Sequence, residues 1–300
     1  MFQNVFWINT NPYTKGSCVF AITIFYENSN MDKSNNVFLE MDATPKFNAT
    51  PKMIFIVPYR DRHMQLDFFN RHMKYILEDM HKDDYRILIV HQRDNRSFNR
   101  GALKNIGFLI VRDLYPSSYK DITLIFNDLD TMPYTKNFLP YDTTPNTVKH
   151  FYGVPFTLGG IFSIKAHDFE KINGFPNFWA WGYEDNLINT RVKNANMQID
   201  RSVFYPMHDI HIIHLNDGTL RNVNKNEFNR YVKHTSEGWN SITQLKYTVH
   251  GDGMVDVYHF NTGIEETMST RQTYDLKNGT VPFNPPFKHK NPKMALNMLR

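Results

Sequence analysis

The sequence predicts an α/β fold, a mixed, mostly parallel central sheet flanked by helices. Three observations carry this prediction. Short apolar runs recur from residue 53 onward, each brief enough for a buried strand. Between them lie longer segments with apolar residues at helical spacing. The two kinds of segment alternate, which requires crossover connections and parallel pairing.

The first strand is Met53-Ile54-Phe55-Ile56-Val57, closed by Pro58. Residues 64–80 read as a helix, with Leu66, Phe69, Met73, Ile76 and Met80 on one face. Residues 85–90 form the second strand, and residues 102–114 the second helix, with Leu103, Ile106, Ile110 and Leu114 inward. Residues 121–126 form the third strand and end in Asn127-Asp128-Leu129-Asp130. Later come a strand at 159–164 after a glycine break, a helix at 185–195 and a short strand at 209–215. A catalytic domain is therefore expected at residues 53–262. Residues 1–52 read as a lead-in, with one candidate strand at 19–26 and a polar linker after it. Residues 263–300 read as a loose polar tail, proline-rich and basic towards its end.

Composition narrows the function. With 300 residues, 41% hydrophobic and 15% aromatic, the chain can bury a large core. The balance of 34 Lys+Arg against 30 Asp+Glu gives a net charge of +4, too mild to imply nucleic acid. A single cysteine, Cys18, excludes an intrachain disulfide and leaves His, Asp and Glu as metal ligands. The longest early apolar run, residues 18–26, falls well short of the roughly 20 residues that span a bilayer. Met1-Phe2-Gln3-Asn4 lacks the basic opening of a signal peptide, so a cytoplasmic protein without a membrane span is expected. Three Asn-x-Ser/Thr triplets, beginning at Asn48, Asn95 and Asn278, would matter only in a secreted chain.

Ligands of such sheets sit beyond the carboxyl ends of the strands. Pro58-Tyr59-Arg60-Asp61-Arg62 and Asp128-Leu129-Asp130 both belong on that edge. Two aspartates two apart on a turn can offer hard oxygens to Mg²⁺ or Mn²⁺, and through the ion to phosphate. The same residues would also suit a solvated Asx turn. His211-Ile212-Ile213-His214 offers two imidazoles, but positions i and i+3 of a regular strand face opposite ways, so sharing one ion needs a bulge or turn. In Trp179-Ala180-Trp181-Gly182-Tyr183-Glu184-Asp185, aromatic rings could stack on a sugar while the carboxylates bind or deprotonate a hydroxyl. The alternative is a core tryptophan and a favourable acidic first turn. Arg60, Arg62 and Arg100 lie where a diphosphate would need partners.

In sequence order, these segments, together with Phe98-Asn99-Arg100-Gly101, Gly159-Gly160 and Ile172-Asn173-Gly174-Phe175-Pro176-Asn177, resemble the β-1,4-galactosyltransferase family. There is kinship to the chondroitin-type N-acetylgalactosaminyltransferases, and the resemblance covers roughly residues 53–247. It implies the GT-A nucleotide-sugar-binding fold, a UDP-sugar donor, Mn²⁺ with Mg²⁺ as the alternative, a saccharide acceptor and inversion at the anomeric carbon. By position, Pro58, Arg60, Arg62, Phe98 and Arg100 match the UDP-binding set, with Asp128, Leu129, Gly159 and Gly160 lining the donor. Asp130, His211 and His214 match the metal ligands, Trp181 the tryptophan of a closing loop, Glu184 a sugar-binding carboxylate and Asp185 the base. Three positions depart from the galactosyltransferase pattern. His211 stands in place of methionine, Asn186 in place of an acceptor-binding aspartate, and Thr157 in place of a tyrosine that limits the donor 2-substituent. Galactose and N-acetylgalactosamine therefore both remain as donor sugars. The rival functions are a metal-dependent nucleotide-sugar hydrolase or phosphodiesterase, and an inactive carbohydrate-binding protein of the same fold.

Overall fold

The structure is a computed structural model that describes residues 49–279 and 281–283. The lead-in through residue 48, with its expected strand at 19–26, and the tail from residue 284 lie outside the described residues.

Strand β1 (Met53–Tyr59) is buried along its whole length because parallel strands flank it on both sides. These are β2 (Tyr85–Gln92) and β3 (Thr123–Asn127). Its side chains alternate between two cores. Phe55 and Val57 face the layer that holds Phe69, Met73 and Ile76 of helix α1 (His63–Ile76). Ile54 and Ile56 face helix α2 (Arg100–Leu114), which is buried from Gly101 to Val111. The Asn99 side chain accepts from the Ala102 backbone N–H and sets where α2 begins.

The chain continues through β4 (Thr131–Pro133), β5 (Thr147–Gly153), β6 (Ile161–Lys165), α3 (Ala166–Lys171) and α4 (Glu184–Asn194). There follow β7 (Gln198–Asp200), β8 (Tyr205–Pro206), β9 (Ile212–His214), β10 (Leu220–Asn224) and α5 (Lys225–Val232). A hairpin of β11 (Thr243–Val249) and β12 (Met254–Asn261) and the strand β13 (Arg271–Asp275) complete the fold. The nine-stranded sheet has the order β11-β12-β2-β1-β3-β6-β5-β7, with β8 beside β5. Strands β12, β2, β1 and β3 run parallel, whereas β6 is antiparallel to both β3 and β5. The sheet is therefore mixed and mostly parallel at its centre, as expected.

Two features differ from the sequence reading. The expected strand at 209–215 shrinks to β9, because Asp209 accepts from the backbone N–H of His211 and turns the chain there. Within the part of the tail that is described, Arg271–Asp275 is not loose but pairs with β10 as an antiparallel ribbon. Its half-exposed polar residues carry no apolar alternation, so only the partner strand reveals it. Among the described residues, no helix is long and apolar enough to cross a membrane.

Candidate active site

The parallel register of β1 and β3, Met53 opposite Thr123 and Ile56 opposite Phe126, brings both strand ends to one edge. Beyond β3, the Asn127 side-chain amide donates to the carbonyls of Asp128 (2.7 Å) and Thr131 (2.8 Å). The Leu129 side chain is buried and anchors the turn from the inside. Asp128 and Asp130 are thus held on a fixed backbone at the edge where ligands of such sheets bind.

Arg100, the first residue of α2, joins this turn to the start of α4. Its Nη2 lies 2.7 Å from Asp128 Oδ1 and its Nη1 2.6 Å from Glu184 Oε1. Asp185 Oδ2 is 3.9 Å from Nη2. One helical turn further, Lys104 Nζ stands 3.3 Å from Asp185 Oδ1 and 3.6 Å from Asp128 Oδ1. Burial alone would raise the Asp128 carboxyl, but Arg100 and Lys104 outweigh it and hold the group down at about 2. Glu184 goes the other way: burial raises it more than Arg100 lowers it. Among the described residues, its Oε2 is buried without a hydrogen-bond partner.

The two expected donor-lining glycines shape these carboxylates. The carbonyl of Gly160 accepts from the Asp128 backbone N–H at 3.1 Å. Gly160 has φ +75, and a side chain there would also strike the Tyr152 carbonyl at 2.4 Å. At Gly159 a Cβ would meet Asp185 Oδ2 at 2.5 Å, so glycine leaves room for that carboxylate.

The two tryptophans have separate fates. Trp179 is buried, stacked on Phe260 at 5.5 Å, with the Arg96 guanidinium 4.5 Å from its ring centre. Trp181 is half-buried, with Arg221 5.9 Å from its ring. Gly182 has φ +105 with nothing within 4 Å of where a Cβ would lie. Tyr183 follows at φ +72, costly for an aromatic residue. Its hydroxyl donates to the Phe283 carbonyl (3.0 Å) and its ring stacks on Tyr231 (4.9 Å), which holds the strained turn in place.

Asp130 and His214 meet where β4 and β9 pair, with Thr131 opposite His214. Asp130 Oδ2 and His214 Nε2 are 4.0 Å apart. Two donors each about 2.1 Å from one cation are separated by less than roughly 4.2 Å, so one ion fits between them. His214 Nδ1 is 3.0 Å from the Tyr152 hydroxyl, a partner that leaves Nε2 free to ligate when Nδ1 carries the proton. Burial, with Asp128 close by, raises the Asp130 carboxyl to about 6. The residues therefore fit a divalent metal. His211 is not brought to this pair. Its Nδ1 sits 2.8 Å from Asp209 Oδ1 and its ring stacks on Phe138, because it precedes β9 and leaves the chain on another side. Among the described residues, no three His, Cys, Asp or Glu side chains form a metal-holding group.

Of the remaining expected residues, Pro58 is buried, and Phe98 is half-buried against the core beside Arg100. Arg60 donates to the Arg96 carbonyl and to Asp61. Arg62 is 2.6 Å from Asp217 and 3.4 Å from Asp130, which links the loop after β1 to the Asp130–His214 pair. Sequence reasoning missed Lys104, Tyr152 and Asp217. Only Lys104 left a signal, four residues after Arg100 and so on the same helical face.

Comparison with known proteins bears on the same residues. Two family models match in succession: the N-terminal region of glycosyl transferase group 7 over residues 9–141, and the N-terminal domain of galactosyltransferase over residues 144–215. Human β-1,4-galactosyltransferase 5 is 33% identical over 172 residues, which are 53% of this chain and 41% of the relative. Xylosylprotein 4-β-galactosyltransferase of Caenorhabditis elegans is 31% identical over 172 residues, 54% of this chain and 57% of the relative. The chain thus spans about half the length of these relatives. The catalytic domain of Drosophila β-1,4-galactosyltransferase 7, solved with xylobiose, superposes with a TM-score of 0.53 at 21% identity and shares the fold over 70% of this chain and 93% of that one. The matched segments contain the aspartate turn, the Arg100 hub, the Trp181 loop and the 211–214 histidines, and they identify the chain as a member of the β-1,4-galactosyltransferase family.

Proposed function

We propose that this protein is an inverting, metal-dependent glycosyltransferase that moves galactose, or a closely related hexose, from a UDP-sugar to a saccharide hydroxyl. The observation that carries the reading is the Arg100 bridge, which ties the donor-side Asp128 to Glu184 and Asp185 in one part-buried network. In a single displacement, Asp185 takes the proton of the acceptor hydroxyl as that oxygen attacks the anomeric carbon. The buried, unpartnered Oε2 of Glu184 supports a hydrogen bond from a sugar hydroxyl. Arg62 and Arg100 supply positive charge at the strand edge, where a diphosphate would lie. When bound, a divalent ion held by Asp130 and His214 would offset charge on the departing UDP. Trp181, beside the open Gly182, would cover the sugars and exclude water.

The relatives' names support galactose as the transferred sugar, and the nematode relative supports a xylosyl acceptor as the first to try. The test is UDP release from UDP-galactose and UDP-N-acetylgalactosamine, with Mn²⁺ or Mg²⁺ and a panel of saccharides including a xyloside. Acceptor-dependent release with a β-linked product is expected. Release unaffected by acceptor would point to a hydrolase, and no metal-dependent UDP binding would point to a carbohydrate-binding protein.

A further inference from the structure

A buried ammonium stands beside the carboxylate that the proposed reaction uses as its base. Lys104 lies four residues after Arg100 on α2, so both cations leave the helix on one face. Its side chain is only 1% exposed, so it is shielded from bulk solvent. Its Nζ is 3.3 Å from Asp185 Oδ1, 3.6 Å from Asp128 Oδ1 and 4.6 Å from the centre of the Phe175 ring. An apolar side chain of similar length would fill this space without desolvating a charge. The charge itself therefore needs a reason.

The contacts divide the two oxygens of Asp185. Oδ1 accepts from Lys104. Oδ2 accepts no hydrogen bond among the described residues, and its one ion-pair contact there is Arg100 Nη2 at 3.9 Å. Arg100 is already engaged by Asp128 and Glu184 at shorter distances. We propose that Lys104 is a positioning residue for the transfer reaction: it holds Asp185 by Oδ1 so that Oδ2 receives the acceptor's proton. The inference rests on the transferase reading. In the step, the acceptor oxygen gives its proton to Oδ2 and an electron pair to the anomeric carbon. The bond from that carbon to the UDP oxygen breaks, and its electron pair leaves with UDP. Lys104 gains and loses nothing. It stops Asp185 from swinging the short distance to Arg100, a movement that would carry the base away from the acceptor.

The test is a double-mutant cycle of Lys104→Met and Asp185→Asn, with transfer kinetics, UDP binding and thermal unfolding measured for each chain. Lys104→Met alone is expected to lower kcat about 10²-fold, the cost of misplacing a reacting group by an ångström, with little change in the donor KM. In the Asp185→Asn background it is expected to lower kcat by less than about threefold, because no base remains to be positioned. Lys104→Ala provides an independent readout. Propylammonium, which replaces the missing chain and its charge, is expected to restore part of kcat, and the neutral propanol is not. If Lys104→Met loses cooperative unfolding, this rescue decides the matter. Equal losses in both backgrounds, a loss confined to KM, or equal rescue by propanol overturns the positioning role alone. A wild-type chain that transfers no sugar overturns the transferase reading and this role with it.

Discussion

Replacing Asp130 by asparagine is expected to stabilise the metal-free protein while destroying its metal-dependent binding of UDP. Burial and the nearby Asp128 raise the Asp130 carboxyl from 3.8 to about 6. A rise of that size corresponds to about 3 kcal/mol of unfavourable ionisation in the folded chain at neutral pH. Because the folded state holds this proton more tightly than the unfolded state, stability falls as pH rises between roughly 4 and 6 and stays lowered above that window. Asparagine is neutral at every pH, so the gain should be full near about pH 7.5 and shrink towards about pH 5. For a domain of this size, about 3 kcal/mol corresponds to a Tm increase of about 6 °C or more. The assay is thermal unfolding in the presence of a chelator at both pH values, paired with calorimetry of UDP binding in Mn²⁺. Added Mn²⁺ should raise the Tm of the wild type and leave that of Asp130→Asn unchanged. A variant less stable than wild type at the higher pH, or one that binds UDP with metal as tightly as wild type, would refute the reasoning.

Three further outcomes are expected. Asp185→Asn should lower kcat by about 10²–10⁴-fold while UDP binding persists, and near-normal turnover would remove Asp185 as the base. His214→Ala should abolish Mn²⁺-dependent UDP binding, and Tyr152→Phe, which removes the partner of Nδ1, should weaken it by about 10–100-fold. His211→Ala should leave it near wild type, and titration calorimetry of the three variants checks the order. Gly101→Ala would place a methyl group 2.0 Å from the Pro176 carbonyl oxygen, so urea unfolding should show a loss of about 1–3 kcal/mol, and an unchanged midpoint would refute that close approach.

The strands and helices that flank the site were legible because burial on both faces imposes unbroken apolar runs, as in β1, and helical spacing, as in α1. The β11–β12 hairpin was not read, although Leu245, Tyr247 and Val249 are buried alternately along β11. Lys246 in β11 and Asp256 in β12 break up the apolar runs, and a strand at the sheet margin needs its neighbours to be recognised. The histidine pair divides along the same line. Two imidazoles three residues apart were visible in the chain, but which of them meets Asp130 depends on where β9 begins and on its pairing with β4.

By itself, the sequence determined the alternation of elements, the edge at which Arg60, Arg62, Asp128 and Asp130 emerge, and the family to which those motifs belong. These are local properties, set by side-chain periodicity and by which residues end each strand. Only the tertiary structure decided that Arg100 and Lys104 bind carboxylates from two distant segments, that His214 and not His211 faces Asp130, and that Trp179 is core while Trp181 is half-buried. Each of these depends on through-space distance and on burial, which sets what a charge costs, and neither quantity exists along an unfolded chain.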